Sequence, residues 1–444
     1  MGYRTKRLQD FGRGLRESKQ LAERERWPRE RLERFQQERL TELVGFARAH
    51  APLWRERLPG GRARLHDLPV LTKAELIEGF DDLVTDRRLR LDDLLAHLAE
   101  VRSDVLYLGE YRPMATSGSS GRKTVFVYDR AGWRAVLTMF LRRSGWVGIK
   151  PSIPRVRLAL IGGAAPTHMS RRGGQSLDVG VHRILALSTT APVGDLVEAL
   201  NRFQPDHINA YPSTAGVLAD EQLAGRLRLS LRGLTTSSET LSPAVRERIE
   251  HAFGAQVRNW YATTEGVWGH ECGAGSMHLF DDMCIVENVD EEGRPVPDGE
   301  TGARILVTRL FNRVQPLIRF EVSDMIAVDP EPCPCGRPLT RLSSLEGRAE
   351  DVLRLGGVAV HPMQFAVITA DPDVREFQVV QEGERLRLRV ALRNGAAGAE
   401  ERLGQSVRGR LAELGIEHPD VCVERVDELE RTPAGKLQVV VAAR

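Results

Sequence analysis

The first hundred positions are rich in arginine, leucine and glutamate, and their apolar residues recur at helical spacing. Leu32, Leu40 and Leu43 are able to share one face of a helix, which is typical of an amphipathic helix packed on a core. Thr72 and Glu75 have the spacing of a capping box and predict another helix start after a short extended piece. The pattern therefore predicts a mainly helical part over residues 1–100.

Between about residues 104 and 345, short runs of branched apolar residues alternate with helical stretches. This alternation predicts a layered α/β body with a largely parallel sheet, and ligand sites in such sheets lie beyond the carboxyl ends of the strands. We expect strands at 156–163, 207–211 and 256–261 and helices at 193–203 and 243–253.

The last hundred residues predict a separate, small α+β unit. A hairpin at 376–380 and 386–392, a helix at 399–414 and strands at 421–426 and 437–441 account for most of it. We therefore expect a large domain over 1–346 and a small mobile domain over 347–444.

Composition narrows the class of protein. The chain has 444 residues with a net charge of +2, so no large positive excess is left to neutralise nucleic-acid phosphates. No apolar run approaches the ~20 residues that a membrane span requires. The five cysteines are too few for a disulfide scaffold in a chain of this length. These features predict a cytoplasmic protein with no nucleic-acid or membrane partner, and they leave a homodimer open.

Residues 115–124 contain the strongest chemical signal. Hydroxyl side chains and glycines, followed by two cations, suit a loop that wraps a phosphate group, although the glycine spacing is not that of a Walker loop. A serine- and glycine-rich surface linker is the alternative interpretation. The residues concerned are Ser117, Gly118, Ser119, Ser120, Gly121 and Lys123.

Four later segments add side chains that suit the binding of a nucleotide. The segment 260–266 has an aromatic residue beside a hydroxyl and a carboxylate, and position 324 is an acid. The segment 347–351 has an arginine beside acids, and 431–436 has a lysine on a glycine turn. In this order and spacing the segments resemble the adenylate-forming superfamily of acyl-CoA synthetases and adenylation domains. The family's motifs are matched with Ser120, Ala262 and Glu350 as departures, and its Pro-x-Gly-Lys tail matches outright. Within the superfamily the chain resembles the phenylacetate–CoA ligase and capsule-biosynthesis-type branch, because it is short, has a helical N-terminal part leading into residues 68–73, and carries the segments 271–278, 316–320 and 333–337.

The resemblance implies ATP-dependent activation of a carboxylic acid to an acyl-adenylate, with release of pyrophosphate, followed by transfer to coenzyme A. It implies Lys436, Thr264 and Glu265 as catalytic residues, with Glu265 as a Mg²⁺ ligand, and Glu350 as the hinge that later removes Lys436 from the site. The ATP site would comprise the 117–123 loop residues named above together with Ser238, Glu239, Thr240, Tyr261, Asp324 and Arg348.

The acyl pocket would be lined by Tyr211, Ser213, Ser237 and Ala262, by resemblance. The aromatic rings of Tyr211 and Trp260 favour an aromatic or small acid, and ordinary core packing of these rings is the alternative.

Cys272, His278, Cys333 and Cys335 form a set of soft ligands that suits a closed structural zinc site. The alternative is a group of unrelated buried thiols and a surface histidine, and His270 is a substitute ligand. Cys284 and Cys422 are expected to be ordinary core residues.

Two other functions remain open at this point. One is an enzyme that passes its acyl-adenylate to an amine, hydroxyl or carrier protein without coenzyme A. The other is a non-catalytic nucleotide-binding scaffold, against which the presence of Lys436, Glu265 and the phosphate loop argues.

Overall fold

The computed structural model describes residues 3–60, 64–103, 105–116, 124–163, 168–393, 396–432 and 435–442. Its helices are α1 Tyr3–Arg24, α2 Arg29–His50, α3 Pro52–Arg57, α4 Lys73–Glu78, α5 Phe80–Leu83, α6 Leu91–Glu100, α7 Arg130–Trp146, α8 Met169–Leu177, α9 Val193–Phe203, α10 Pro212–Leu223, α11 Pro243–Phe253, α12 Ala366–Thr369 and α13 Ala399–Glu413. Short 3₁₀ helices cover Leu65–Asp67, Ala349–Asp351 and Pro362–Phe365. Within the described ranges, no helix is long and apolar enough to cross a bilayer.

The strands follow the same order along the chain. They are β1 Arg112–Ala115, β2 Val125–Tyr128, β3 Arg157–Gly162, β4 Arg183–Ser188, β5 His207–Ala210, β6 Gly233–Ser237, β7 Val257–Ala262, β8 Val267–Glu271, β9 Met277–Leu279, β10 Cys284–Val289, β11 Arg304–Arg309, β12 Phe320–Val322, β13 Asp324–Asp329, β14 Arg341–Arg348, β15 Leu353–Leu355, β16 Val358–Val360, β17 Val374–Glu382, β18 Arg385–Leu392, β19 Asp420–Arg425 and β20 Val440–Val441.

The predicted helical start of the chain is confirmed, and so is its capping box. The hydroxyl of Thr72 accepts the Glu75 N–H at 3.2 Å, and the Glu75 carboxylate accepts the Thr72 N–H at 2.8 Å. These two bonds satisfy backbone donors that the first turn of α4 would otherwise leave unpaired. Helix α2 buries Leu32, Leu40 and Leu43, the apolar stripe that the sequence predicts.

A nine-stranded sheet forms the centre of the molecule, in the order β13-β14-β9-β8-β7-β6-β5-β3-β4. Strands β4, β3, β5, β6 and β7 are parallel, as helical connections require. The remaining strands are antiparallel, so the prediction of a largely parallel sheet is correct for only part of it. The difference arises because β7, β8 and β9 are joined by short turns, which leave no room for a crossover helix.

Helices cover both faces of the parallel strands. Ile208, Leu234 and Val257 pack in one cluster with apolar residues of α9, α10 and α11. On the opposite face, Trp260 of β7 contacts Phe140 of α7 edge to face, with ring centroids 4.9 Å apart. This arrangement confirms the predicted α/β class.

The C-terminal strands build a second sheet in the order β19-β18-β17-β20, covered by α13. The predicted hairpin is present as β17 and β18, and their core begins at Leu353 and is separate from the clusters of the preceding chain. The predicted last strand is shorter than expected and covers only Val440–Val441. The division of the chain at 346/347 stays a prediction.

Candidate active site

The parallel strands bring the predicted pocket residues to one edge of the sheet. Tyr211 and Ala262 lie at or directly after the ends of β5 and β7, and Ser237 ends β6, level with Trp260. The backbone N–H of Gly163, directly after β3, donates to the Tyr211 hydroxyl at 3.1 Å. The edge is therefore built from four adjacent strand ends, where ligands bind in such sheets.

Lys436 reaches this edge from the small C-terminal unit. Its Nζ lies 6.0 Å from the centroid of the Tyr211 ring. Burial, and after it the charge of Arg348, lowers the pKa of Lys436 below its ordinary value, while three carboxylates act in the opposite direction. These carboxylates belong to Glu239, Glu265 and Asp324. The structure thus brings together residues that the sequence predicts for both catalysis and ATP binding.

Asp324 is tied to two other predicted ATP-site residues. The Tyr261 hydroxyl donates to its Oδ2 at 2.7 Å, and the Arg348 Nε lies 3.5 Å from its Oδ1. Burial raises the pKa of Asp324, and the Arg348 charge opposes that shift. The carboxylate is therefore fixed at the edge of the sheet, where it is able to accept further hydrogen bonds.

Two buried side chains, those of Tyr128 and Arg309, hold the backbone of Thr264 and Glu265 in place. The Tyr128 hydroxyl lies 3.1 Å from the carbonyl oxygen of Thr264 and 2.8 Å from that of Glu265, and the Arg309 Nη1 donates to the Glu265 carbonyl at 2.6 Å. These contacts fix the backbone from which the Glu265 carboxylate projects. Sequence reasoning missed Tyr128 and Arg309 because each lies inside a strand, outside any motif.

Glu239 joins the large sheet to the segment that carries Lys436. Its Oε2 accepts the Ser213 N–H at 3.0 Å, at the start of α10, and its Oε1 accepts the Leu437 N–H at 2.9 Å. Burial raises the pKa of Glu239, while these hydrogen bonds oppose the shift. The preceding residue, Ser238, has a φ of 71°, a strained conformation for a residue other than glycine. The sequence indicated only a backbone role beside adenine for this segment.

Further contacts join the large nine-stranded sheet and its helices to the C-terminal part of the chain. Arg431 donates to the Ser213 hydroxyl at 3.0 Å, and Arg393 donates to both carboxylate oxygens of Asp220 at 2.9 and 3.0 Å. Gly435 has a φ of 76°, and a Cβ at this position would lie 1.8 Å from the Thr189 hydroxyl. The turn before Lys436 therefore requires glycine for both its conformation and its close approach.

The structure describes some of the remaining predicted site residues and not others. Thr240 lies near Gly347, where an added Cβ would be 3.7 Å from its hydroxyl. The backbone of Glu350 lies in the short helix Ala349–Asp351, directly after β14. Thr116 and Thr124 close the base of the phosphate loop through a backbone hydrogen bond of 3.0 Å. The loop residues themselves lie outside the described ranges: Ser117, Gly118, Ser119, Ser120, Gly121 and Lys123.

The four predicted zinc ligands form one cluster, with their ligand atoms all within 4.8 Å of one another: Cys272, His278, Cys333 and Cys335. The Cys272 and Cys333 sulfurs are 3.7 Å apart, close to the roughly 3.8 Å that a tetrahedron with ~2.3 Å Zn–S bonds requires. The His278 Nε2 lies 3.3 Å from the Cys335 sulfur, and its Nδ1 lies 3.0 Å from the Leu339 carbonyl. A proton on Nδ1 would leave Nε2 free to bind metal. The donor set therefore fits zinc.

His270 lies outside this cluster. Its Nδ1 is 2.6 Å from the Glu271 carbonyl, and its ring packs edge to face against Trp146 and Trp260 at 5.8 Å in each case. The substitute-ligand interpretation of His270 is therefore not favoured by the geometry.

Comparisons with known proteins give relatives over most of the chain. No protein-family model matches it. A phenylacetate–coenzyme A ligase from Thermus thermophilus is 28% identical over 383 residues, which cover 82% of this chain and 81% of the relative. The protein CapK from Staphylococcus aureus is 23% identical over 78% of this chain and 75% of its own length.

Among solved structures, a 2-hydroxyisobutyryl-CoA ligase in the postadenylation state matches with a TM-score of 0.74 and 24% identity, over 92% of this chain and 89% of its own. The same ligase in the thioesterification state gives a TM-score of 0.60 at 22% identity, over 94% of this chain and 91% of its own. These comparisons confirm the predicted fold and the resemblance to the adenylate-forming superfamily in its phenylacetate–CoA ligase and CapK branch.

Proposed function

We propose that this chain activates a carboxylic acid with ATP to an acyl-adenylate and then transfers the acyl group to coenzyme A. The predicted enzyme class, an adenylate-forming ligase of the acid–CoA type, is confirmed by its relatives. The observation that carries the proposal is the position of Lys436 beside the Tyr211 ring at the strand ends, where the carboxylates of Asp324 and Glu265 act to raise its pKa. A cation beside two carboxylates suits the binding of a nucleotide and the stabilisation of its developing charge, which supports the proposal.

In the first half-reaction the substrate carboxylate attacks the α-phosphorus of ATP and pyrophosphate leaves. We assign to Lys436 the stabilisation of the negative charge that the carboxylate and the bridging oxygen share in the transition state. Asp324 accepts hydrogen bonds from the ribose hydroxyls, and Thr264 donates to the α-phosphate. Because Tyr261 already donates to Asp324, its ring is held at a fixed angle beside the adenine.

Glu265 is the residue that would hold Mg²⁺, which neutralises phosphate charge when bound. Its carboxylate acts on Lys436 electrostatically, and its backbone is fixed by Tyr128 and Arg309. We assign the 117–123 loop to the β- and γ-phosphates, because Thr116 and Thr124 fix its two ends beside β1 and β2.

The second half-reaction requires Lys436 to leave the site, and we assign the hinge to Glu350. Hydrogen bonds from Arg393, Arg431 and Leu437 join the small unit to the large sheet, and such polar contacts are common in interfaces that open and close. The better match to a postadenylation state than to a thioesterification state supports the assignment of this arrangement to the first half-reaction.

We assign a structural Zn²⁺ to the cysteine–histidine cluster. Cys272 follows β8 and His278 lies in β9, while Cys333 and Cys335 precede β14, so the ion would join three adjacent strands. All four positions of a tetrahedron are filled by side chains, which leaves none open for catalysis.

For the acid we keep an aromatic or small compound as the starting point, because Tyr211 and Trp260 are both near the strand ends. From its few cysteines, which make no disulfide scaffold, we propose that the enzyme is cytoplasmic, and from its balanced charge that it has no nucleic-acid partner. Transfer to an amine, a hydroxyl or a carrier protein is the second candidate, since the same edge of the sheet would form the adenylate in either case.

The test is a screen for pyrophosphate release over aromatic and short-chain acids, with and without coenzyme A. Acid-dependent pyrophosphate release, with AMP release accelerated by coenzyme A, supports the proposal. Release of AMP that coenzyme A leaves unchanged, and that an amine or carrier protein accelerates, favours the second candidate. Absence of acid-dependent pyrophosphate release with every acid contradicts both.

A further inference from the structure

Arg143, near the end of α7, differs from the other arginines of that helix. Its guanidinium carbon lies 4.5 Å from the centroid of the Trp260 ring, and its Nε is buried. Among the residues that the structure describes, its guanidinium has no hydrogen-bond or ion-pair partner. The helix's other charged pairs are complete: Arg130 with Asp10, Arg134 with Glu17, and Arg142 with Glu25 and Asp282, at 2.6 to 2.9 Å.

This isolation has an electrostatic cost. Burial alone, with no compensating carboxylate, lowers the pKa of Arg143 to about 9. Arg143 is half-buried, and a cation in such a place without a counter-charge is less stable than one in water, whereas it stabilises any anion that enters beside it. Arg143 is therefore suited to bind a negatively charged group supplied by a ligand.

The sheet face that packs against α7 and Arg143 carries further polar side chains. Ile208, Leu234 and Val257 point to the α10 and α11 side, and side chains alternate along a strand. The neighbours on those strands, Asn209 and Thr235, therefore point to the α7 side, and neither side chain has a hydrogen-bond partner among the described residues.

Trp260 on the same face has a buried Nε1–H, also without a partner in the described part of the chain. Asn209, Thr235 and Trp260 thus supply hydrogen-bond donors on the sheet face that α7 and Arg143 cover.

Arg143 lies below the strand ends at a defined depth. Trp260, which it covers, is two residues before the end of β7 at Ala262. The charge of Arg143 also acts on His207, which is three residues before the end of β5 at Ala210. At ~3.3 Å per residue, Arg143 lies roughly 7–10 Å below the edge that holds Lys436.

We propose that Arg143 binds a second carboxylate at the far end of the substrate, so that the enzyme activates short dicarboxylic acids. This inference rests on the proposed function, because it takes the reacting carboxylate to lie beside Lys436. The planar guanidinium fork matches a carboxylate in two parallel hydrogen bonds, and Asn209 and the Trp260 indole N–H add donors. Glutarate, adipate and benzene-1,4-dicarboxylate have about the required reach, so the proposal narrows the aromatic or small acid expected from sequence.

The test measures binding and needs no turnover. Isothermal titration with a non-hydrolysable ATP analogue present compares glutarate with valerate, adipate with hexanoate, and benzene-1,4-dicarboxylate with 4-methylbenzoate. The proteins are the wild type, Arg143→Met, and Arg202→Met as a charge-matched control, because Arg202 lies exposed on α9 beside Glu198. Removal of an unpaired cation leaves no acid unpaired, so Arg143→Met is expected to fold, which circular dichroism checks.

The wild type and the control are expected to bind at least one dicarboxylate about 10-fold or more tightly than its matched monocarboxylate. Arg143→Met is expected to lose that preference and to bind the monocarboxylate as well as the wild type does. Equal or weaker binding of every dicarboxylate by the wild type, absence of binding, or an unchanged preference in Arg143→Met would each overturn the inference. A dicarboxylate that binds but releases no pyrophosphate would instead contradict the proposed function.

Discussion

The Glu239 Oε1 accepts the Leu437 N–H at 2.9 Å, one residue beyond Lys436. Since Glu239 also accepts the Ser213 N–H, it positions Lys436, the proposed catalytic residue, against the large sheet. Replacement Glu239→Gln keeps the size of the side chain but removes its charge and one acceptor oxygen. We expect the rate of pyrophosphate release to fall about 10-fold, which corresponds to the loss of one hydrogen bond to a charged group.

The rate of thioester formation from supplied acyl-adenylate distinguishes a loss of Lys436 positioning from general damage to the enzyme. We propose that this half-reaction takes place with Lys436 out of the site, so Glu239→Gln is expected to keep it near the wild-type rate. The control is Glu247→Gln on the exposed side of α11. A loss of the same size in both half-reactions would show that Glu239 has only a structural role.

Asp324 provides a second test, this time of nucleotide binding. Its carboxylate is fixed by Tyr261 and Arg348 and faces the region of Lys436. Asp324→Asn is expected to raise the KM for ATP by about 10- to 100-fold, because charge-assisted bonds to the ribose are lost. Steady-state kinetics with varied ATP measures this, with Asp298→Asn at an exposed turn as control. An unchanged KM for ATP would remove Asp324 from the nucleotide site.

The pKa of Lys436 predicts the pH dependence of the first half-reaction. Burial, and after it Arg348, lowers this pKa from the ordinary value of 10.5. The active cation is present at lower pH and is lost as pH rises through the lowered pKa, so kcat/KM for pyrophosphate release should decline before pH 10.5. Lys436→Arg, which stays charged, is expected to remove this decline even if its rate is lower. An identical alkaline decline in both proteins would contradict the assignment.

The lowered pKa of Lys436 also affects the stability of the folded protein. Below the lowered pKa, Lys436 is charged in both the folded and the unfolded chain, and the folded state carries the full cost of burying it. Lys436→Met is therefore expected to raise the free energy of unfolding at neutral pH. This advantage shrinks as pH rises through the lowered pKa towards 10.5, which denaturant titration at a series of pH values measures. A stability difference that does not change with pH would contradict the lowered pKa.

The zinc assignment is tested by metal content and melting temperature. Cys335→Ser removes one of four ligands, and we expect less than stoichiometric zinc and a fall in Tm of about 5–10 °C. Cys422→Ser, on β19 and outside the cluster, is expected to change neither. Protein purified without added metal that contains no zinc, and whose Tm is unaffected by a chelator, would contradict the assignment.

The sequence predicted the local elements well where the signals are local. The helices at 193–203 and 243–253 have the expected bounds, and Ser242 caps the second by accepting the Val245 N–H at 3.3 Å. The cysteine–histidine cluster was also predicted, because its residue types are rare and specific. These features depend on neighbours along the chain or on unusual side chains.

Contacts between distant segments could not be predicted in the same way. Arg309 and Tyr128 fix the Glu265 backbone from separate strands. Whether Arg143 has a partner among the described residues depends on what surrounds it in space. The antiparallel part of the sheet was missed for a similar reason, since short apolar runs do not show the direction of their pairing.

The central claim is that Lys436 catalyses adenylate formation at the strand ends. Its most direct test is acid-dependent exchange of pyrophosphate with ATP, measured with wild type and Lys436→Ala. We expect exchange in the wild type and a loss of at least ~100-fold in the variant, with thioester formation from supplied acyl-adenylate retained. Exchange by Lys436→Ala at a rate near that of the wild type would contradict it.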